Sequence, residues 1–348
     1  MFFVDIQSSD MNYPWKRICL FLSIGFIFVI LSLGIGSVKI HPLDIVGILI
    51  SKIFFLTVSW EWSTTTEIIL WEVRLPRVLL ALLVGASLAV AGSIYQGLFR
   101  NPLADPYLIG AAAGAVLGAT IAMLIFSLSS VVAFLSVSFF AFIGSLTTVL
   151  SAYLIARSSG GVQTYTLILS GIALGSFAAA IATLIMIRSD PDLRPILSWT
   201  LGSFASARWI HVVIVGIVFG CVLPFTLIYS RILNLFQLDE EHAKQLGVNV
   251  ERSKILMIVV ATLVTATAVS FTGLIGFVGL IAPHTVRLLW GPDYRVLIPM
   301  ATIIGGVFLV LADLAARTLF LPNDLPVGIL TALCGVPFFL YLIRQRNF

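Results

Sequence analysis

The residues of this chain that could do chemistry are few and scattered. Ser170, in the string Leu169-Ser170-Gly171, could be offered as an intramembrane nucleophile, which would need a neighbouring base. His211, His242 and His284 fall near expected helix ends or loops, so Ser170 reads as a small packing residue. Neither GxxxxGK[ST] nor HExxH occurs, and histidines and carboxylates do not gather at metal-ligand spacing. By motif the chain has no catalytic residue, no metal site and no phosphate-binding loop of its own. Cys19, Cys221 and Cys334 stand alone in apolar stretches and read as small hydrophobes, neither disulfide-bonded nor metal-bound. Asp313 is the carboxylate placed within an apolar run, near its outer end. A hydrogen bond or an i,i+4 salt bridge to Arg317 is its bland role, and carrying a coupling ion is the functional one. Arg74 and Arg77 precede a long apolar run, where the positive end of a helix dipole disfavours them by a few tenths of a kcal/mol (roughly 0.3). They snorkel to headgroups or, with Arg317, offer a basic docking point to an acidic partner; the second reading is preferred.

The elements that position these residues follow from composition. Of 348 residues 59% are hydrophobic and 10% charged, and the mean hydropathy is +1.10, which cannot supply the surface of a water-soluble globule. A cytosolic enzyme, a secreted module and a disordered chain are excluded. The net charge of +4 flanks apolar runs and shows no basic cluster dense enough for nucleic acid. Ten runs have the length of membrane helices: 18–38, 78–99, 107–126, 131–155, 162–187, 209–229, 255–271, 273–289, 296–314 and 327–343. The first follows Lys16 and Arg17 and is too long for a signal peptide, with no cleavage motif, so it is expected to be retained. Segments 42–55 and 196–204 read as interfacial helices. The fold class expected is an all-α polytopic membrane protein with ten transmembrane helices per protomer, forming one permease domain over 1–348.

An even count puts both termini on one side. With the termini in the cytoplasm, Lys16, Arg17, Arg100, Arg157, Arg231, Lys244, Arg252, Lys254, Arg287, Arg295, Arg344 and Arg346 lie inside, 12 of the 20 basic residues. Residues 1–17 then form a cytoplasmic N-terminal segment and 231–254 a charged cytoplasmic loop. That loop reads as a short amphipathic helix, a Gly turn and a second helix start, with Ala243, Leu246 and Val248 as an apolar stripe that needs a partner surface. Outside, 39–72 and 188–208 are long enough to cover or receive something. Gly110, Gly114 and Gly118, with Gly171/Gly175 and Gly216/Gly220, have the spacing that lets helix backbones approach in lipid. A small-residue helix, a Pro turn (Asn101-Pro102, then Gly291-Pro292) and a Gly-rich helix recur once per half. Five spans per half would make these inverted five-helix repeats.

RLPRVLLALLVGASLAVAGSIYQGLFRNPLADPYLIGAAAGAVLGA (74–119), LDEEHAKQLGVNVERSK (238–254), FTGLIGFVGLIAPHTVRLLWGPDYRVLIP (271–299) and the segment 311–343 together resemble the permease subunits of ABC importers for iron-siderophores, haem and cobalamin. The resemblance covers nearly all of the chain beyond about residue 15, and RNPLADP and GLIAPH are its specific strings. It implies a homodimer with one central pathway, two cytoplasmic ATPase subunits, and a periplasmic or lipid-anchored substrate-binding protein in a cell inner (cytoplasmic) membrane. It implies no cofactor on this subunit, since ATP and Mg²⁺ belong to the partner ATPase. Arg74, Arg77 and Arg317 match arginines that meet acidic residues of the binding protein. Asp239, Glu240, Glu241, Ala243, Leu246, Gly247 and Val248 match the ATPase-coupling segment, where Asp239 replaces the family's usual Gly after Leu238. Asn101 and Leu103 match one cytoplasmic gate; Gln163 and Thr164 align with the other but differ in residue type. By analogy an iron-siderophore is the first cargo, with corrinoid and haem as alternatives. Two other classes stand beside this reading: an ion-gradient secondary transporter depending on Asp313, and a membrane enzyme depending on Ser170 and a histidine.

Overall fold

The computed structural model describes residues 15–36, 38–54, 62–126, 131–158, 161–188, 193–238, 240–320 and 323–345. Fourteen α-helices run through them: α1 (Trp15–Gly34), α2 (Pro42–Phe54), α3 (Thr64–Ile68), α4 (Leu75–Leu98), α5 (Ala111–Ile125), α6 (Val131–Ala156), α7 (Thr164–Arg188), α8 (Leu193–Thr200), α9 (Trp209–Leu238), α10 (Glu240–Gln245), α11 (Val250–Thr272), α12 (Val278–Trp290), α13 (Tyr294–Ala316) and α14 (Val327–Gln345). A two-residue antiparallel pair, β1 (Arg157–Ser158) and β2 (Gly161–Val162), closes the α6–α7 turn. Each of the ten apolar runs contains a helix. Among the described residues six helices are long and apolar enough to cross a membrane, and Ile18–Gly34, Ala111–Ile125 and Val327–Tyr341 are shorter apolar helices. The expected interfacial segments are α2 and α8.

α4 is the axis of the bundle. In its most apolar window, taken with the helix that leads into it, 83% of residues are buried, against 17% for α9. It packs on α9, α11, α12 and α13, while α5, α6 and α7 form a second group that meets it through α11. Small residues make this possible. A Cβ on Gly92 would strike the Gly279 carbonyl of α12, and one on Gly85 the Gly305 carbonyl of α13. The same logic holds α5 against α6, where Gly114 meets Gly144 and Gly118 meets Phe140. The Gly216/Gly220 pair behaves differently. Gly216 has only the Leu83 side chain within 4 Å, at 3.6 Å, and a Cβ on Gly220 meets nothing within 4 Å. On the outer faces Ile187, Ile228, Phe177 and Leu154 stand exposed, as acyl chains require.

Two boundaries differ from the sequence expectation, each for a local reason. The second span does not begin near residue 78. Helix runs unbroken from Thr64 to Leu98, passing through a π-turn at Ile69–Arg74. Pro76 has no N–H to return to the preceding turn, and the freed Trp71 carbonyl accepts the Trp209 indole N–H at 3.1 Å. Arg74 and Arg77 therefore lie well inside a helix, away from any N-terminal dipole. The eighth run, 273–289, is helical only from Val278. Gly273 (φ 72°, ψ −162°) ends α11 in a conformation that suits only glycine, and Phe277 (φ 69°) turns left-handed, its ring lying where a Cβ on Gly335 would be. The irregular stretch between finds a partner inside the bundle: the Tyr107 hydroxyl donates to the Ile275 carbonyl at 3.0 Å and accepts from the Ile275 N–H at 3.3 Å.

The three cysteines are free thiols with no disulfide between them, exposed on helix faces. From the α4–α12 crossing we predict that Gly92→Ala lowers the detergent-solubilised protein's stability by about 1–3 kcal/mol through overpacking. Gly220→Ala, which meets nothing, leaves it equal or raises it by up to about 1 kcal/mol through helix propensity. Thermal melting of the two variants side by side checks both.

Candidate functional site

The functional residues collect at the two ends of the bundle. At one end α4, α13 and the close of α1 bring Arg74, Arg77 and Arg317 together with Asp313 and Asp324. The π-turn carries Arg74 to the end of α1, where it is 5% exposed and donates to the carbonyls of Leu33 (2.7 Å), Gly34 (3.2 Å) and Val38. Leu33 and Gly34 are among the carbonyls that a helix C-terminus leaves without intrahelical partners, and Val38 follows just beyond. Arg317, 6% exposed, does the same for Ser32 and Ile35, adding a 2.6 Å bond to the Ser32 hydroxyl. Arg77 forks onto Asp313, with Nε to Oδ1 at 3.0 Å and Nη2 to Oδ1 at 2.9 Å, and its Nη1 reaches Asp324 at 2.6 Å. Asp313 is 1% exposed and lies 3.6 Å from the Arg317 Nε, so the expected i,i+4 pair is present but secondary to Arg77. The three arginines thus sit in intrachain bonds, and the Arg77–Asp324 pair is the part that reaches the surface. Sequence spacing alone missed Asp324 and the α1 carbonyls as partners, because they come from segments tens to hundreds of residues away.

At the opposite end α9 continues to Leu238, and α10 follows. The expected loop is therefore mostly helix. Gly247 (φ 82°) closes α10: its N–H donates to the Lys244 carbonyl at 2.9 Å, and the Val248 N–H to Ala243 at 3.0 Å. That pair of bonds is a Schellman turn, which needs glycine at the left-handed position. Asn249 then caps α11, its side chain accepting from the Arg252 N–H at 3.0 Å. The apolar stripe is split. Ala243 is fully buried in the core, Val248 half-buried, and Leu246 is 65% exposed with nothing covering it among the described residues. Glu240 and Glu241 begin α10; Asp239 lies outside the described residues.

This end is tied to the rest of the bundle by Asn234. Its Nδ2 donates to Asp293 at 2.7 Å and its Oδ1 accepts from the Tyr294 N–H at 2.9 Å, while Gln237 reaches the Pro292 carbonyl at 3.2 Å. Burial pushes the Asp293 carboxyl up, and the bonds from Arg295 and Asn234 more than offset it, holding it below the ordinary value. The turn after α4 is fixed locally: Asn101 Oδ1 accepts from the Leu103 N–H at 2.9 Å, and Asp105 from the Tyr107 N–H at 2.8 Å. Gln163 is exposed ahead of α7, and its Oε1 accepts from the Thr166 hydroxyl at 3.3 Å; Thr164 begins the helix half-buried. α7 meets the turn after α4 lower down, where a Cβ on Gly171 would strike Ile109. Ser170 is buried on that packing face, and His211 is buried against Phe271 (ring centroids 4.9 Å) with its Nδ1 accepting from the Arg208 N–H. Among the described residues no three His, Cys, Asp or Glu side chains are grouped to hold a metal.

The arginine cluster yields a test. Asp313→Asn leaves Arg77 and Arg317 without a buried counter-charge and lowers stability by about 3–5 kcal/mol. Arg77→Met combined with Asp313→Leu loses less than the sum of the two single changes, a coupling that melting curves of the four proteins in detergent measure directly.

Comparison with known proteins places this geometry. The FecCD transport family matches residues 24–345. The chain is 45% identical over 289 residues to the cobalamin import system permease protein of Halobacterium salinarum, covering 81% of this chain and 75% of that one. It is 40% identical over 336 residues to the hemin transport system permease protein of Yersinia pestis, covering 94% and 96%. A solved structure described as an inward-facing conformation of a metal-chelate type ABC transporter superposes with a TM-score of 0.83 at 32% identity, over 96% of this chain and all of that one. With a fold, a full-length profile and relatives that agree, this chain belongs to the FecCD transport family, a multi-pass membrane permease family.

Proposed function

We propose that the chain is the membrane-spanning permease subunit of an ABC importer for a metal chelate, working as a homodimer with two ATPase subunits and a substrate-binding protein. The observation that carries this reading is the helix–turn–helix at Glu240–Asn249. It projects the uncovered Leu246 at one end of a bundle whose sequence holds no phosphate-binding loop. Energy then comes from a partner that binds ATP and Mg²⁺ and presses on α10. All ten helix-bearing runs cross the inner membrane as a single permease domain, in two inverted five-helix halves, with α10 and both termini in the cytoplasm.

In this reading alternating access follows from the two ends. The loaded binding protein meets the arginine end, where an acidic group competes with Asp324 for the outward N–H of Arg77. Arg74 and Arg317 act there indirectly, by holding the end of α1 in place. At the cytoplasmic end, movement of α10 is passed through α9 and Asn234 to the α12–α13 turn. The turns at Asn101–Leu103 and Gln163–Thr164 serve as gates. Iron-siderophore heads the cargo classes, followed by corrinoid and haem. Ion-gradient transport through Asp313 is disfavoured because the side chain is 1% exposed and both its oxygens are engaged by Arg77, leaving no open face for an ion.

The native mass of the detergent-purified protein, expressed with its neighbouring genes, tests the assembly. Two copies of this chain with two P-loop ATPases, joined by one binding protein when chelate is added, are expected. A lone monomer or dimer would overturn the reading. A sharper test is Leu246→Asp, which puts a charge into the apolar contact with the ATPase. Assembly weakens or ATP hydrolysis continues with transport reduced at least tenfold, and wild-type uptake in proteoliposomes would show that α10 does not couple.

A further inference from the structure

The helix from Thr64 to Leu98 carries one residue more than an α-helix would hold, absorbed in the π-turn at Ile69–Arg74. At the close of that turn the Leu75 N–H donates to the Leu70 carbonyl, five residues back. The donor that the same pattern would give the Trp71 carbonyl is residue 76, a proline with no N–H. The Trp209 indole supplies the missing N–H at 3.1 Å, and the two rings pack with centroids 5.1 Å apart. Trp71 and Trp209 both lie against an apolar cluster in which Leu70 is fully buried, a setting where a carbonyl without a donor is costly. The turn has a second way to satisfy that carbonyl. In α form the Leu75 N–H belongs to Trp71, four residues back, and the Leu70 carbonyl goes to the Arg74 N–H. The π form therefore needs the indole, and the α form does not.

The two forms differ in where they put the segment ahead of the turn. α4 is fixed on α12 and α13 by its glycine crossings, so closing the turn moves residues 64–70 by one position, about 100° around the helix axis and about 1.5 Å along it. Glu67 now pairs with Lys52 of α2 at 2.7 Å and accepts from the Trp62 indole at 3.0 Å. After closure Ile68 stands in its place. The donor sits on an element built to shift. Trp209 is the first residue of α9, whose most apolar window is 17% buried. Among the described residues a Cβ on its Gly216 or Gly220 would meet no backbone within 4 Å, unlike the glycines that lock α12 and α13. α9 continues through Pro224 to Leu238 and there meets α10. We propose that Trp209 is a positioning residue for the arginine end: its indole holds Ile69–Arg74 in the π form, and its withdrawal lets the helix close to α and re-aim residues 64–70. π-turns of this kind recur at functional sites. The latch is made of contacts within one chain and stands whether or not the chain works with an ATPase. In the importer reading it gives the helix next to α10 a hold on the end that meets the binding protein.

Disulfide cross-linking of the full chain in membranes tests this, in a background carrying Cys19→Ala, Cys221→Ala and Cys334→Ala. Two reporters are compared: Lys52→Cys with Glu67→Cys for the π register, and Lys52→Cys with Ile68→Cys for the α register. With Trp209 present the first pair is expected to cross-link in preference. Trp209→Phe keeps a ring and removes the donor, and it should move the ratio of yields roughly tenfold toward the second pair, as loss of one buried hydrogen bond does. Yields are read on protein that elutes as a folded species after extraction, so a folding defect lowers the amount and not the ratio. Deleting Val73, which is exposed in the turn, removes the extra residue, and the first pair should then be preferred with either side chain at 209. General loosening of the bundle would instead shift the ratio with or without Val73. A Trp209→Phe protein that keeps the original ratio, or one whose ratio shifts equally after the deletion, overturns the proposal.

Discussion

Backbone contact along α4 is the constraint on which the other elements depend. In lipid there is no hydrophobic gain from bringing two apolar helices together, so association rests on close packing and on polar groups that find partners. α4 answers this with glycines facing glycines: Gly92 on Gly279 and Gly85 on Gly305. Once α12 and α13 are seated at these crossings, the positions of Asp313, Gln96, Arg287 and Tyr294 relative to α4 follow. The charged groups at both ends then meet partners distant in sequence without any long loop to carry them. The same close approach makes α4 intolerant of a single added methyl, while the exposed face of α9 accepts one.

The charged residues inside the bundle serve the backbone first. A helix that stops within a membrane protein leaves carbonyls with no water to receive them, and Arg74 and Arg317 bond to those at the end of α1. Asp313 supplies the counter-charge that lets Arg77 remain there. The arrangement explains why three cations gather at one end of an apolar bundle. They are structural caps and pairs, and the Arg77 N–H held by Asp324 is the portion that reaches the surface.

The positions of the apolar helices were legible in the sequence because hydrophobic length is a one-dimensional property: each of the ten runs holds a helix, and among the described residues six of these are long and apolar enough to cross a membrane. Gly110, Gly114, Gly118, Gly171 and Gly175 were legible as packing positions by their spacing. What could not be read there was where a helix continues or breaks against its own composition. Thr64 to Thr66 and Glu67 look like loop, yet a Ser63 cap and the Lys52–Glu67 pair at 2.7 Å keep them helical. The stretch 273–277 looks like span, yet it is irregular because Trp199, Gly202 and Leu201 crowd its neighbours. The arginines and the α10 residues could be singled out from charge, position and resemblance, but their partners depend on tertiary placement. So does the division of the Ala243/Leu246 stripe into one buried and one exposed residue.

That division bears on how force can pass through the molecule. α9 is one continuous helix from Trp209 to Leu238, and α10 follows it at once, so a displacement at Leu246 acts on a lever rather than on a slack loop. The lever is pinned near its end by Asn234, which bonds both the side chain of Asp293 and the backbone N–H of Tyr294. A single amide therefore grips both the cap and the first residue of α13, and moving α9 without moving α13 would break both bonds. In its last turn α13 carries Asp313, which holds Arg77 on α4. The chain from Leu246 through Asn234 and α13 to Asp313 is made of rigid helices joined by short polar contacts. It is a route by which a push at one end would be felt at the arginines of the other, alongside α4 itself, which reaches both ends.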